Sequence, residues 1–444
     1  MCRAFFQNLM SRTITQKEYD DCLEEMFGLG RFGIILGLST IRSILKGLGN
    51  PQDTYRTIHV AGTNGKGSIA SSLASILQRS GHRVGLYTSP HLVRFNERIL
   101  VDGSPISNDD VVRSYRKVQT VHAGDRNPTF FEYTTAMALY EFGKQNVDWA
   151  VIETGMGGRL DATNVLTPEL SIITNISLEH RMYLGNTIAE IAGEKAGIIK
   201  RRVPVVTGVR QRSAVSVVAE KAQSLSAPLY RLGQAFRVRR SKDGTFTYYG
   251  MESIWRKVRT GLLGNYQIDN AALVLAACEI LNRKRHIQLE PDAVREGLES
   301  NRWPGRLEMV SSSPLVILDG AHNFIAARNL ARFITENLKD RRVTLVVGML
   351  DDKPYRSMLK SLLAACDRVI LTQATINRSL PIDVLKPIAS EIVPDVSLVA
   401  DVGDAVVHAL DTSKPDDAVV VAGSLYVVGE AKALFERRPS LIAS

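Results

Sequence analysis

The chain is 444 residues long, enough for two or three domains with sizeable cores, which excludes a disulfide-stapled miniprotein. With 45% hydrophobic and 23% charged residues it has an ordinary globular composition, which excludes a disordered or fibrous chain. Fifty-five basic against 46 acidic residues leave a net charge of +9, an excess that invites anionic partners, from nucleic acid to small polyanions.

In chain order, β-rich runs at 57–60, 83–87, 149–152, 171–174 and 203–206 each lead into turn residues or a helical pattern, the alternation of a mainly parallel, helix-flanked sheet. The runs at 236–240 and 245–249 alternate in character around Asp243-Gly244 and predict a hairpin. A long helix is predicted over 266–281. Periodicity stops at Trp303-Pro-Gly-Arg306, and a second βα series begins at 315–319, 343–348, 368–371, 397–399 and 418–422. The expected fold class is α/β, with a larger domain over 1–300 and a smaller one over 301–444.

The four cysteines, Cys2, Cys22, Cys278 and Cys366, form no Cys-x-x-Cys pair, so neither a zinc site nor a disulfide framework is suggested and a reducing compartment fits. The first ten residues lack a signal-peptide apolar core, and the longest apolar run, 271–278, is too short to span a bilayer. A cytoplasmic protein without membrane association is expected.

The sharpest local signal is Thr63-Asn64-Gly65-Lys66-Gly67-Ser68, between a β-run and an apolar helix. Glycines let backbone N–H groups approach a triphosphate, the helix N-terminus adds positive potential, Lys66 supplies a point charge and Ser68 a hydroxyl for Mg²⁺. Gly67 between the lysine and the hydroxyl departs from the usual Walker spacing. Glu153 ends a strand just before a Gly-rich turn; with Ser68 or Ser89 and nucleotide phosphates it makes a plausible oxygen shell for magnesium, although a lone strand-end glutamate is usually only solvated. His91 and His180 follow predicted strands, where open α/β sheets carry ligands, yet each taken singly reads as a structural histidine.

Taken together the motifs are diagnostic. Thr63–Ser68, Thr88-Ser-Pro-His91, Glu97-Arg98-Ile99, Phe131-Glu132, Glu153 to Asn164, Glu194-Lys-Ala-Gly-Ile198, Asn270-Ala-Ala272, Trp303-Pro-Gly-Arg306, Asp319-Gly-Ala-His-Asn323 and Gly423-Ser-Leu425 occur in order. From about Phe32 to Tyr426 the sequence resembles the folylpolyglutamate synthase and dihydrofolate synthase family of the Mur ligase superfamily. The resemblance implies a Mur-ligase-like P-loop ATPase domain with a mainly parallel sheet, plus a smaller Rossmann-like C-terminal domain, closing around ATP, a pteroate or folate carboxylate and L-glutamate. It further implies that the carboxylate attacks the γ-phosphate to give an acyl phosphate, which the amine of glutamate converts to an amide.

Residue by residue, the resemblance assigns the phosphates to Thr63, Asn64, Gly65, Lys66, Gly67 and Ser68, with Lys66 on the transferring group. Asn270 meets the adenine, and Arg306 and Asp319 approach the phosphates and ribose. Ser68, Ser89, Glu153 and His180 serve Mg²⁺, and Lys195 matches a lysine that the superfamily often carbamylates to hold a second magnesium; the plain reading of Lys195 is an ion pair with Glu194 or a neighbour. Phe32 and Gly33 match a lid, Thr129, Phe130, Phe131 and Glu132 with Leu160, Asp161 and Ala162 match the pterin side, and His322 and Ser424 match the incoming glutamate. Phe131 reads either as a stacking partner of the flat ring or as core. Where many members have Asp-His, this chain has Glu179-His180, so the carboxylate stem is one methylene longer and an outer-shell role is expected for it.

These matches favour a bifunctional ligase, acting on dihydropteroate and on reduced folates, over one restricted to polyglutamylation. A peptidoglycan ligase would need a separate N-terminal domain, for which the stretch before the phosphate loop is too short. A nucleic-acid-binding ATPase would draw on basic clusters at 200–202, 237–240, 283–285 and 341–342, but these are dispersed and lie outside the motifs. The expected partners are therefore dihydropteroate, tetrahydrofolates and L-glutamate, not nucleic acid, and the resemblance implies a monomer.

Overall fold

The computed structural model describes residues 13–33, 35–121, 123–124, 126–284 and 287–442. Cys2, Arg285 and the side chain of Phe32 lie outside the described residues. The first series of β-runs becomes an eight-stranded sheet: β1 (Arg56–Ala61), β2 (Val84–Tyr87), β3 (Ile99–Val101), β4 (Ser104–Pro105), β5 (Trp149–Glu153), β6 (Leu170–Ile173), β7 (Val205–Thr207) and β8 (Leu229–Arg231). Their order is β4-β3-β2-β5-β1-β6-β7-β8. All pairs are parallel except β2 with β3 and β3 with β4. The central β1 lies between β5 and β6, with Val60 opposite both Glu153 and Ile172.

The hairpin predicted around Asp243-Gly244 is present as β9 (Arg237–Arg240) and β10 (Phe246–Tyr249), extended by β11 (Ile254–Val258) into an antiparallel three-stranded sheet. The long helix runs over Asn265–Arg283. A third sheet contains β12 (Glu308–Ser312), β13 (Leu315–Leu318), β14 (Val343–Val347), β15 (Arg368–Leu371), β16 (Asp395–Leu398) and β17 (Ala418–Ala422), in the order β12-β13-β17-β14-β15-β16. Only β12 is antiparallel to its neighbour.

Packing divides the chain into two units. One holds residues up to His91, Phe95–Ala235 and Ala276–Gly297; the other holds Leu92–Arg94, Phe236–Leu275 and the residues from Leu298 onward. Residues 236–275, which a boundary near 300 leaves with the N-terminal part, pack with the C-terminal one. In each unit the parallel strands are apolar on both faces because helices cover both. Along β14, Leu345 and Val347 join one apolar cluster and Val346 the other, the period of two that a strand imposes. In the first unit, Met26, Ile44, Tyr87, Phe142 and Ile152 share one core, while Ile173, Ile191, Val205 and Val218 share a second. Covered sheets of this kind leave the loops at the carboxyl ends of the strands as the places where polar groups gather.

Candidate active site

In the first unit, four such strand ends supply the polar groups. After β1 the chain turns through Gly62 at φ 151°, where a Cβ would lie 1.8 Å from the Thr174 hydroxyl, so only glycine fits. The loop is then braced from the segment after β6. Asn64 N–H donates to Asn175 Oδ1 (3.0 Å), Thr174 Oγ1 (2.6 Å) and Asn175 Nδ2 (2.9 Å) donate to the Asn64 carbonyl, and Ser177 N–H donates to Thr63 Oγ1 (3.0 Å). Gly65, at φ 84°, opens helix Lys66–Arg79, and Ser68 is buried in its first turn. The loop thus offers a helix N-terminus and its amides as an anion seat.

Lys66 Nζ donates to the Thr63 carbonyl (3.3 Å) and stands 3.9 Å from Glu153 Oε1. Glu153, the buried last residue of β5, accepts from Ser89 N–H at 3.2 Å through its other oxygen. Ser68 and Ser89 carry hydroxyls and Glu153 a carboxylate, oxygen donors of the kind that Mg²⁺ prefers alongside waters and substrate phosphates. His180 is exposed, at φ 43°, just ahead of helix Arg181–Leu184.

Lys195, on helix Ile188–Ala196, is fully buried and donates to the Gly62 carbonyl (2.9 Å) and to Glu179 Oε1 (2.6 Å). Glu194 turns instead to Arg159, at 2.9 Å, so the ion-pair partner of Lys195 is Glu179. Burial works to raise the Glu179 pKa, but the Lys195 and Lys66 ammoniums together overcome it and hold the carboxyl below its ordinary range. For Lys195, burial pulls the amine down against the pull of Glu179. A carbamate on Lys195 would be a second anion beside Glu179, an arrangement that fits only with a cation shared between them.

The segments that the resemblance matched to the pterin side also lie in this unit. Thr129 and Glu132 form a reciprocal capping box at the start of helix Phe130–Lys144, and Arg126 grips both Glu132 oxygens at 2.8 and 2.7 Å. Those two side chains thus set the helix start. Phe131 packs over Gly155, where a Cβ would come 2.4 Å from its ring, and lies 6.1 Å from the Tyr87 ring. Phe130 stands 5.6 Å from Phe27, with the Arg98 guanidinium 5.2 Å above its ring. Between Leu160 and Ala162, Asp161 is buried and caps the turn Ala162–Val165. Gly33, at φ 67°, closes the short helix Leu29–Phe32.

In the second unit the polar groups gather after β13 and β17. Asp319 is buried and accepts from Leu307 N–H at 2.9 Å. Burial pushes its carboxyl up to about 6, against Arg306 and the amides of Leu307 and Ala321, which pull it down. Arg306 Nη1 donates to the carbonyls of Gly305 (3.3 Å) and Gly320 (3.5 Å). His322 Nδ1 lies 2.8 Å from the Gly320 carbonyl, which can only accept, so Nδ1 carries a proton and donates it to that bond. Ser424, buried, caps helix Leu425–Arg437 through Val427 N–H (3.1 Å), and Asn270 donates to Gln267 Oε1 (2.7 Å).

Sequence reasoning missed Thr174, Asn175 and Arg126, as well as the pairing of Glu179 with Lys195. The first two had a usable signal, since they are polar and directly follow an apolar strand.

Comparisons with known proteins place this arrangement in a class. Residues 60–278 match the Mur ligase middle domain, and residues 305–425 match the Mur ligase glutamate ligase domain. The chain is thus an ATP-dependent ligase of the Mur type. A Bacillus subtilis dihydrofolate synthase/folylpolyglutamate synthase is 38% identical over 93% of this chain and 98% of its own length. The Escherichia coli FolC structure in complex with DHPP and ADP superposes with a TM-score of 0.87 at 31% identity, covering 94% of this chain and 98% of that one. A Yersinia pestis bifunctional folylpolyglutamate synthase/dihydrofolate synthase, complexed with AMPPNP and a Mn ion, gives 0.85 at 30% identity over 96% and 100%. The chain belongs to the folylpolyglutamate synthase/dihydrofolate synthase family.

Proposed function

We propose that this protein joins L-glutamate to dihydropteroate and to reduced folates, using ATP, and that both activities reside in the one chain. The observation that carries the reading is the loop Thr63–Ser68, braced by Thr174 and Asn175 and set beside Lys66 and Glu153, in a chain of this family. Its amides and the helix N-terminus seat the phosphates, and the Lys66 ammonium offsets charge that builds on the transferring phosphoryl group. The pteroate or folate carboxylate attacks the γ-phosphorus, the bond from that phosphorus to the β-phosphate oxygen breaks and ADP leaves, and the carboxylate oxygen, now phosphorylated, becomes a leaving group. The amine of glutamate then attacks the acyl carbon, and phosphate departs to leave the amide.

Ser68, Ser89, Glu153 and His180 would hold magnesium, and Lys195 as a carbamate would hold a second ion. Magnesium when bound neutralises phosphate charge and polarises the phosphoryl oxygens. In the second unit, His322 orients the glutamate and offers Nε2 to its amino group, Ser424 lies at its carboxylates, and Asn270, Arg306 and Asp319 serve the nucleotide. On the pterin side, Thr129–Glu132 and Leu160–Ala162 would line the ring and its linker, with the segment at Gly33 as the lid. We read the protein as a cytoplasmic monomer; no helix among the described residues is long and apolar enough to cross a membrane. The basic clusters fit a solvated surface: Arg240 pairs with Asp269, Lys284 with Glu169 and Arg342 with Asp395.

The test is MgATP turnover with L-glutamate and either dihydropteroate or tetrahydrofolate, reading phosphate release and amide product. Product with both acceptors is expected. Product with tetrahydrofolate alone would reduce the reading to polyglutamylation, and product with neither would overturn it.

A further inference from the structure

We propose that His59 is a positioning residue for the pteroate end of the site, acting through Thr163 and Asp161. The inference rests on the reading of residues 160–162 as part of that end. His59 lies in the middle of β1, the strand that runs into the phosphate loop, and its side chain is completely buried. Its Nε2 is 2.8 Å from Thr163 Oγ1, and Thr163 Oγ1 is 2.5 Å from Asp161 Oδ1.

The direction of this chain follows from what each group can do. Both Asp161 oxygens accept from backbone N–H groups, of Met156 and of Thr163, so the Thr163 hydroxyl donates its hydrogen bond to Oδ1; the hydroxyl oxygen then accepts, and His59 donates through Nε2–H. Nδ1, buried and without a partner, remains the acceptor nitrogen; a proton there would leave a second donor stranded. Burial, aided by the Lys200 ammonium, holds the imidazole down to about 3, so it stays a single neutral donor.

Asp161 is in turn the hub of its segment. It accepts from Met156 N–H (2.8 Å) and Thr163 N–H (3.1 Å) as well as from the Thr163 hydroxyl, so its orientation sets the turn from Met156 through Ala162. His59 therefore locks that turn to the same strand that holds the phosphate loop. In the proposed reaction one segment carries the attacking acid and the other the phosphorus, so an error of about 1 Å between them would cost rate and binding.

The test is steady-state kinetics of the full-length enzyme carrying His59→Leu, Thr163→Val, Thr163→Ser, or the first two together, with thermal midpoints recorded alongside. His59→Leu, which removes one buried hydrogen bond, should raise the KM for dihydropteroate by about tenfold, and Thr163→Val, which removes the bonds to both His59 and Asp161, by at least as much, with the KM for ATP within about twofold in each. Thr163→Ser keeps the hydroxyl and should restore the wild-type values. The double variant should be no worse than Thr163→Val alone, because the two residues act in series. An unchanged KM for dihydropteroate, or KM values for both substrates rising together with the lost thermal midpoint, would overturn the inference. If His59→Leu fails to fold, the Thr163→Val and Thr163→Ser pair decides alone. Wild-type enzyme that forms no glutamate-dependent amide would instead remove the functional reading on which the inference depends.

Discussion

Glu179 in the first unit and Asp319 in the second are both carboxylates withdrawn from water, and they shift in opposite directions. Glu179 accepts from the Lys195 ammonium at 2.6 Å, feels Lys66 as well, and stays ionised. Asp319 has backbone amides and the field of Arg306, which do not offset its burial, and it rises to about 6. The contrast runs through the two regions. Around the phosphate loop, Lys66, Glu153, Glu179 and Lys195 are opposed charges held close together. After β13 and β17, Asn323 and Ser424 cap helices and His322 bonds a carbonyl. The first region sets opposed charges at close range, a layout suited to charge that changes during a reaction, and the second holds its loops in place with neutral hydrogen bonds.

The comparison breaks hardest at Lys66. Lys66→Ala should lower turnover by about 10⁴-fold, on the order of 5 kcal/mol, because a preorganised cation at the transferring phosphate has no substitute in water. Glu153→Ala should likewise abolish turnover. Phosphate release in single-turnover experiments reads the chemical step directly. A loss below about tenfold for Lys66→Ala would mean that the loop seats an anion without acting on it. Next in size is Glu179→Gln, which leaves the Lys195 ammonium buried with a carbonyl but without its paired carboxylate. It should cost roughly 3–5 kcal/mol in denaturant unfolding at neutral pH. A cost under about 1 kcal/mol would show that the pair is not what stabilises this corner of the first unit.

Legibility from sequence followed the same contrast. Strands β1, β2, β5, β6, β13, β14, β15 and β17 were readable because helix-covered parallel strands are apolar runs with turn residues at their ends. The edges were not. β3 and β4 are three and two residues long, β12 is Ser-rich and half-exposed, and β11 carries an irregularity at Lys257, whose φ is 52°. The phosphate loop was legible because its glycines and lysine are contiguous. Pairings across sequence distance were not: Glu179 with Lys195, Asn64 with Asn175 and His59 with Thr163 depend on which strands become neighbours. The capping by Thr129 and Ser424 also had to be seen, because a residue type that suits a ligand equally suits a helix start.

Asp319 sharpens the comparison through pH. Its folded pKa lies above the ordinary 3.8, so the folded state favours the protonated acid. The stability this brings is fully present below about pH 4 and is lost as pH rises through about 6, on the order of 3 kcal/mol in all. Asp319→Asn should remove that slope whatever it does to absolute stability. Unfolding free energies of wild type and variant between pH 4 and 8 would therefore diverge in slope, whereas parallel curves would mean the carboxyl titrates normally.

The smallest expected effect lies at His322. With its Nδ1–H fixed on the Gly320 carbonyl, the ring in its neutral form has one acceptor at Nε2, and the loop keeps its shape through the Asn323 cap on helix Phe324–Asn337. His322→Ala therefore removes the proposed contact with glutamate without removing the helix start. The expected result is a KM for glutamate raised by about tenfold, the equivalent of one hydrogen bond to a charged group, with the KM for ATP and the thermal midpoint nearly unchanged. His322→Asn, whose amide oxygen can accept in place of Nε2, should recover part of the loss. Unchanged glutamate saturation in His322→Ala would withdraw the residue from the site. A large fall in kcat at saturating glutamate would move it into the group that Lys66 represents, and the two regions would then differ less than their electrostatics suggest.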